Sequence, residues 1–229
     1  MSYGALLFAA IGFVACAGTV TKSNEMAIPE KPIEEMNYTS ERTTFEVWGP
    51  TAESAVVRLY NGEEFVEEIS MVRGECGLWV ATAEGDRRGQ LYAFQLTVDG
   101  KTLKETAGIF AKALGVNGDR GAIIDLRDTD PEGWSEDRSP EVKPENRVIY
   151  EMHYRDMTAH ASAGSSHPGK YLGMAERGTR SVEGLATGLD HLVEMGVTHV
   201  HLLPTADFGS IDESKPTDQY NWGYEPKNY

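Results

Sequence analysis

Positive charge is scarce in this chain, cysteine is scarcer, and no apolar run is long enough to cross a bilayer. Twenty-one Lys and Arg stand against 36 Asp and Glu, giving a formal net charge of -15 and a pI near 4.8. A surface of that sign repels phosphate backbones and anionic lipid, and no cluster of Lys or Arg opposes the trend, so nucleic acid is not expected as a partner. A neutral polyol or glycan meets no such penalty. Of the two cysteines, Cys16 and Cys76, the first lies in an apolar leader, so a structural disulfide is not expected and the redox compartment cannot be read from cysteine usage. The longest apolar run, Ala5 to Gly18, is shorter than the roughly 20 residues a spanning helix needs and matches the core of a signal peptide. Ala15-Cys16-Ala17 fits a cleavage site, and Phe13-Val14-Ala15-Cys16 loosely fits a bacterial lipobox that would place a lipid on Cys16. Residues 1–18 are therefore expected to be a signal peptide or lipoprotein leader, although Met1 to Gly4 carries no positive side chain. The protein would be secreted or held at the cell surface, with membrane contact only through the lipid.

What is present divides the chain. Residues 19–42 are polar, contain Pro29 and Pro32 and show no apolar period, as a linker does. Over residues 43–135 the pattern becomes short β-like runs: Phe45 and Val47, Ala55 to Tyr60, Leu78 to Ala81, Leu91 to Val98, and Ala122 to Leu126. Turn signals separate them, including Asn61-Gly62 and Asp99-Gly100, which favour two-residue hairpins because these residues tolerate positive φ. The spacing predicts a β-sandwich of immunoglobulin-like size. An acidic stretch rich in Pro and Gly follows, with 136–146 as a second linker.

From 147 to 229 the periodicity changes again. Val148 to Tyr154 reads as a strand, and a Gly, Ser, His and Pro loop runs to Arg180. A helix is expected from a Ser181 cap, with Val182, Leu185, Leu189, Leu192 and Val193 on one face and Gly196 as its stop. Thr198 to Leu203 is a second strand. Strand, helix and apolar strand predict a parallel right-handed crossover.

Three local patterns could mislead. Gly164 to Lys170 nearly spells a phosphate-binding P-loop, but Tyr171 stands where Ser or Thr would hold magnesium. His199 and His201 share one face of a strand, as zinc-binding pairs do, yet lie near the strand's start, whereas barrel chemistry gathers at strand ends. They are expected to pack within a barrel interior. His153, near the end of the first strand, is better placed to meet a substrate. Arg155 and Asp156 read as structural, paired with each other or with nearby loops.

Four phrases carry a family resemblance: Val148-Ile-Tyr-Glu-Met-His-Tyr-Arg-Asp-Met157, Gly169-Lys-Tyr-Leu-Gly173, Gly188 through Pro204, and Tyr220-Asn-Trp-Gly-Tyr-Glu-Pro226. Together they resemble type I pullulanase, a starch-debranching group within the α-amylase superfamily of glycoside hydrolases. Gly115-Val-Asn-Gly-Asp-Arg-Gly and the run from Asp125 to Trp134 resemble that family's starch-binding-type sandwich and its junction to the barrel. The resemblance implies a sandwich followed by the first βαβ portion of a TIM (β/α)8 barrel, truncated here, since a full barrel takes about 250 residues. It further implies hydrolysis of α-1,6 bonds in pullulan, amylopectin or glycogen-like α-glucans, with no cofactor needed for the chemistry and calcium left open. Retaining hydrolysis uses two carboxyl groups about 5–5.5 Å apart. In the family these sit on later strands, so no Asp or Glu of this chain is assigned a catalytic role and no residue is assigned a metal. Tyr224 matches the family's aromatic platform beneath the sugar, with Trp222, Tyr220 and Asn221 shaping the loop and His153 nearby. The alternative is a surface lipoprotein that binds α-glucan without cleaving it.

Overall fold

The computed structural model describes residues 28–215 and 219–228, so the expected leader and Cys16 lie outside the described residues. The chain divides into two compact units, Met1–Gly115 with Asp119–Asp128, and Val116–Gly118 with Thr129–Tyr229.

The first unit is a β-sandwich of nine strands: β1 (Met36–Tyr38), β2 (Arg42–Trp48), β3 (Ser54–Asn61), β4 (Glu64–Ser70), β5 (Val72–Arg73), β6 (Leu78–Glu84), β7 (Leu91–Val98), β8 (Lys101–Thr102) and β9 (Gly121–Ala122). One antiparallel sheet runs β1-β2-β6-β5; the other runs β4-β3-β7-β8, with β9 also on β7. Alternation drives the packing, because successive side chains of a strand face opposite sides. Thr43, Phe45 and Val47 of β2 point inward with Trp79, Ala81 and Ala83 of β6, opposite Val57 and Leu59 of β3 and Tyr92 and Phe94 of β7. Three rings join the sheets: Phe45 lies 5.2 Å from Tyr92 and 6.4 Å from Phe94. Gly121 is required here, since a Cβ on it would come within 2.2 Å of the Tyr92 ring.

The sandwich starts earlier than the sequence pattern indicates. Residues expected to be linker include β1, whose Met36 enters the core opposite Phe45. Just before it, the buried Glu35 carboxylate accepts hydrogen bonds from Ile109 N at 2.9 Å and Phe110 N at 2.8 Å. Burial raises its pKa, while the two amides oppose that rise. Strand β4 was not expected at all: with Glu64, Glu67 and Glu68 among its seven residues it shows no apolar alternation. Charge of this kind suits an edge strand, because it discourages pairing with other chains. The run expected at Ala122 to Leu126 keeps only its beginning, as Ile123 buries and Leu126 is exposed. Asp99 and Gly100 form the expected turn, both at positive φ between β7 and β8, whereas the turn expected at Asn61-Gly62 sits one residue later: Asn61 stays in β3 paired with Glu64, and Gly62-Glu63 joins β3 to β4.

In the second unit β10 (Ile149–Met152) and β11 (His199–Leu202) pair in parallel, with Glu151 opposite His201. Between them lie α1 (Tyr154–Ala159), α2 (Tyr171–Ala175) and α3 (Gly188–Glu194). A parallel pair joined through helices is common to barrels and open α/β sheets, so two strands do not distinguish them. The helix expected from a Ser181 cap begins six residues later, at Gly188 with Thr187 as its cap. Gly184 at φ 80° and Gly188 at φ 55° take left-handed conformations that interrupt it. The Ser181 hydroxyl serves a turn instead, accepting from Glu183 N and Leu185 N, and Val182 and Leu185 stay exposed. Gly196, at φ 73°, does end α3 as a left-handed stop.

Candidate functional site

The described part of the second unit contains an aromatic cluster anchored on His153. Met152 closes β10, and His153 caps α1: its Nδ1 accepts from Arg155 N at 3.1 Å. An accepting Nδ1 leaves the proton on Nε2, which donates to the main-chain oxygen of Asn221 at 3.0 Å. His153 is buried, and its ring stacks on Tyr154 at 5.1 Å and tilts against Tyr220 at 5.6 Å. Both of its ring nitrogens are thus occupied by main-chain partners within the cluster. Tyr154 in turn stacks on Tyr171 at 4.4 Å, extending the row of rings to α2. The Tyr171 hydroxyl donates to Thr205 O at 3.0 Å.

The loop carrying Tyr220, Trp222 and Tyr224 is closed at its base by main chain. Gly209 N donates to Glu225 O and Lys227 N to Asp207 O, on either side of the Phe208–Pro226 bridge. Asn221 folds the tip: its Oδ1 accepts from Gly223 N at 2.7 Å, and its Nδ2 donates to Ser210 Oγ at 2.7 Å and Glu225 Oε2 at 3.2 Å. Gly223 takes φ 92° and lies so close to Pro204 that a Cβ would approach its oxygen to 2.0 Å. These constraints leave Trp222 62% and Tyr224 67% exposed on one short segment. Tyr220 is held from the side, its hydroxyl donating to Asp156 Oδ2 at 3.0 Å with the Arg155 guanidinium 5.3 Å over its ring. Arg155 and Asp156 thus serve this loop. Burial raises the pKa of Tyr154 to about 12, with Tyr171 adding to the rise; burial and then Asp156 raise that of Tyr220. The phenols stay neutral donors at ordinary pH.

Of the residues picked from sequence, the structure brings His153 and Tyr220 into contact and sets Trp222 and Tyr224 out toward solvent. Tyr154 and Tyr171 were missed as members of the row. Their signal was present in the quoted phrases but not in any periodicity, because the residues lie on different helices. A cavity of about 220 Å³ beside the loop base, lined in part by Phe208, Ser210, Asp212 and Lys227, is smaller than the roughly 300 Å³ where ligand pockets usually begin.

The misleading patterns resolve in different ways. The Gly164–Lys170 loop does cradle an anion, but one of its own: Glu176 accepts from Ser165 Oγ at 2.6 Å and Ser166 N at 3.0 Å, with His167 Nδ1 at 2.9 Å. First the Ser165 hydroxyl and then His167 hold the Glu176 carboxyl down to about 2, against an ordinary 4.5. Its stabilising effect is complete above about 4.5 and disappears as pH falls toward 2, because only the charged form accepts these bonds. Glu176→Gln should flatten the acid limb of a stability-versus-pH curve in that window, read by urea midpoints; an unchanged limb would contradict the assignment. His199 and His201 are exposed, not packed inside, as is the whole of β11. His201 Nδ1 meets Glu151 Oε2 at 3.1 Å and His199 meets Thr198 Oγ1 at 2.8 Å. Among the described residues no group of three or more His, Cys, Asp or Glu could hold a metal ion, and no helix is long and apolar enough to cross a membrane.

Comparison with known proteins places these features. Residues 34–108 match the family model for carbohydrate-binding module 48, the isoamylase N-terminal domain. A pullulanase of Bacillus subtilis (strain 168) is 39% identical over 192 residues, covering 84% of this chain and 26% of its own length. The crystal structure of a Paenibacillus barengoltzii pullulanase in complex with maltohexaose and α-cyclodextrin superposes with a TM-score of 0.81 at 42% identity, over 89% of this chain and 32% of that one. A Bacillus acidopullulyticus pullulanase gives 0.81 at 38% identity, over 90% and 25%. The chain spans about a quarter to a third of the length of these relatives. Along that shared span the chain is similar to pullulanases in both sequence and structure, and its residues 34–108 are similar to carbohydrate-binding module 48.

Proposed function

We propose that this chain supplies glucan-binding parts of a pullulanase-type glycoside hydrolase acting on α-1,6 bonds. The single observation that carries this reading is the exposed Trp222–Tyr224 segment, braced by Asn221, Gly223 and His153. Exposed rings on a braced main chain offer a flat apolar face to the C–H side of a glucose ring while its hydroxyls keep their hydrogen bonds. Bracing the main chain of the tip reduces the ordering entropy that binding would cost there. In this reading β10 and β11 are the first two strands of a (β/α)8 barrel, and Tyr224 underlies the sugar at the scissile bond. The cleaving carboxyl pair belongs to other strands, so the residues seen here bind and orient. Export, and lipidation at Cys16, belong to the same proposal. Maltooligosaccharide complexes of related pullulanases support α-glucan as the ligand class.

Tyr224→Ala should weaken maltohexaose binding about fivefold, equivalent to about 1 kcal/mol for one aromatic contact. Tyr224→Phe should retain most of the affinity. Calorimetric titration checks both, and an unchanged Kd in the alanine variant would remove Tyr224 from the site.

The match to module 48 favours a second contribution, from the sandwich itself. Residues 34–128 would then retain measurable affinity for maltooligosaccharides by themselves, and a null titration would confine binding to the aromatic loop.

A further inference from the structure

The sequence contains two Asn-Gly pairs, Asn61-Gly62 and Asn117-Gly118, and the fold treats them in opposite ways. We propose that Asn61 is a site of spontaneous deamidation and aspartyl isomerisation, whereas Asn117 is protected from the same chemistry. Glycine after asparagine leaves the main-chain nitrogen unshielded. That nitrogen, on Gly62, attacks Cγ of Asn61; the new N–Cγ bond forms, the Cγ–Nδ2 bond breaks, and the nitrogen leaves as ammonia with the amide proton. Water then opens the five-membered imide at either carbonyl, giving aspartate or isoaspartate, so no oxidant or reductant is needed.

Asn61 is less constrained: it ends β3 opposite Glu64, and Arg120 Nη1 reaches the Gly62 oxygen at 3.3 Å and Glu63 at 2.8 Å, but the Asn61 side-chain nitrogen and the space around Gly62 are open. Asn61 and Gly62 are exposed at the tip of the β3–β4 hairpin, and nothing lies within 4 Å of the position a Gly62 Cβ would take. The Asn61 Oδ1 accepts from Gln90 Nε2 at 3.2 Å, which draws electrons from Cγ and leaves the amide nitrogen, the leaving group, on the other side. The product carboxylate would join Glu63 and Glu64, both exposed, so water screens the repulsion.

Asn117 is clamped at every polar atom that must move. Its Oδ1 accepts from Glu213 N at 2.7 Å, its Nδ2 donates to Asp212 Oδ1 at 3.2 Å, and its main-chain N donates to Glu213 Oε2 at 2.7 Å. The attacking nitrogen belongs to buried Gly118, whose own oxygen accepts from Asn228 Nδ2 at 3.0 Å. A new carboxylate at 117 would face Asp212 and Glu213, which the amide now bridges. Reaction there requires this network to open first.

Incubating the full chain in mildly alkaline buffer and following each asparagine by peptide mapping tests the contrast. The Asn61 peptide should convert at least about tenfold faster than the Asn117 peptide in the native protein. It should yield isoaspartate as well as aspartate, and the two rates should converge in urea. Asn61→Gln should abolish conversion at that peptide and leave Asn117 unchanged. Equal native rates, a faster Asn117, or no native conversion at Asn61 while the urea sample converts would overturn the proposal.

Discussion

Phe45→Ala is expected to destabilise the sandwich by about 3–5 kcal/mol, the largest single-residue effect anticipated in this chain. Phe45 is fully buried on β2 of one sheet and contacts Tyr92 and Phe94 on β7 of the other, so its removal opens a cavity between the sheets. Small neighbours such as Ala81 and Ala83 give little to collapse into the space. Against the 5–15 kcal/mol typical of whole domains, a loss of about that size removes much of the margin. At about 4–8 °C per kcal/mol for a domain of this size, the transition of the first unit should fall by more than about 12 °C. Val72→Ala, on an exposed edge strand, should change stability by less than about 0.5 kcal/mol and serves as the control. Thermal melts of the full chain provide the measurement, and a Phe45→Ala shift as small as the control's would contradict the assigned core.

The second large effect is functional. Gly223→Val should raise the Kd for maltohexaose about tenfold or more, although Gly223 presents no side chain to a ligand. Two costs coincide: a β-branched residue at φ 92° is strained by about 1–3 kcal/mol, and its Cβ would meet Pro204 O. The tip must then shift, taking Trp222 and Tyr224 with it and breaking the bond from Gly223 N to Asn221. Stability should change less than affinity, because the main-chain closure between 207–209 and 225–227 is untouched. Calorimetric titration beside a thermal melt separates the two, and wild-type affinity in a folded Gly223→Val protein would show that tip geometry does not matter. The conservative Asn221→Asp tests the same brace from its other side, since it keeps the acceptor for Gly223 N but sets a charge against Glu225.

Sequence legibility follows how local each cause is. The inward residues of β2, β3, β6 and β7 alternate every second position, so those strands were visible from composition along the chain. Strand β1 was hidden because three residues cannot show a period, and β4 because its glutamates erase one. At Ser181 the apolar spacing was helical, but the positive φ of Gly184 and Gly188 overrode it. The exposed aromatics of the loop were readable as a phrase. Their brace was only half readable: Asn221 was placed as a loop-shaping residue, whereas the stack of Tyr154 on Tyr171 depends on how α1 and α2 pack. The glycine-rich loop at 164–170 shows the converse case, a true anion cradle whose occupant, Glu176, comes from the same chain.

The most direct test of the proposed function is a calorimetric titration of maltohexaose into the full chain and into a Trp222→Ala, Tyr224→Ala double variant whose melting curve matches the parent. The parent should bind, and the double variant should lose about thirtyfold in affinity, the sum of about 2 kcal/mol from two aromatic contacts. Equal affinity in the two proteins, or no binding by the parent, would contradict the claim that this loop is a glucan platform.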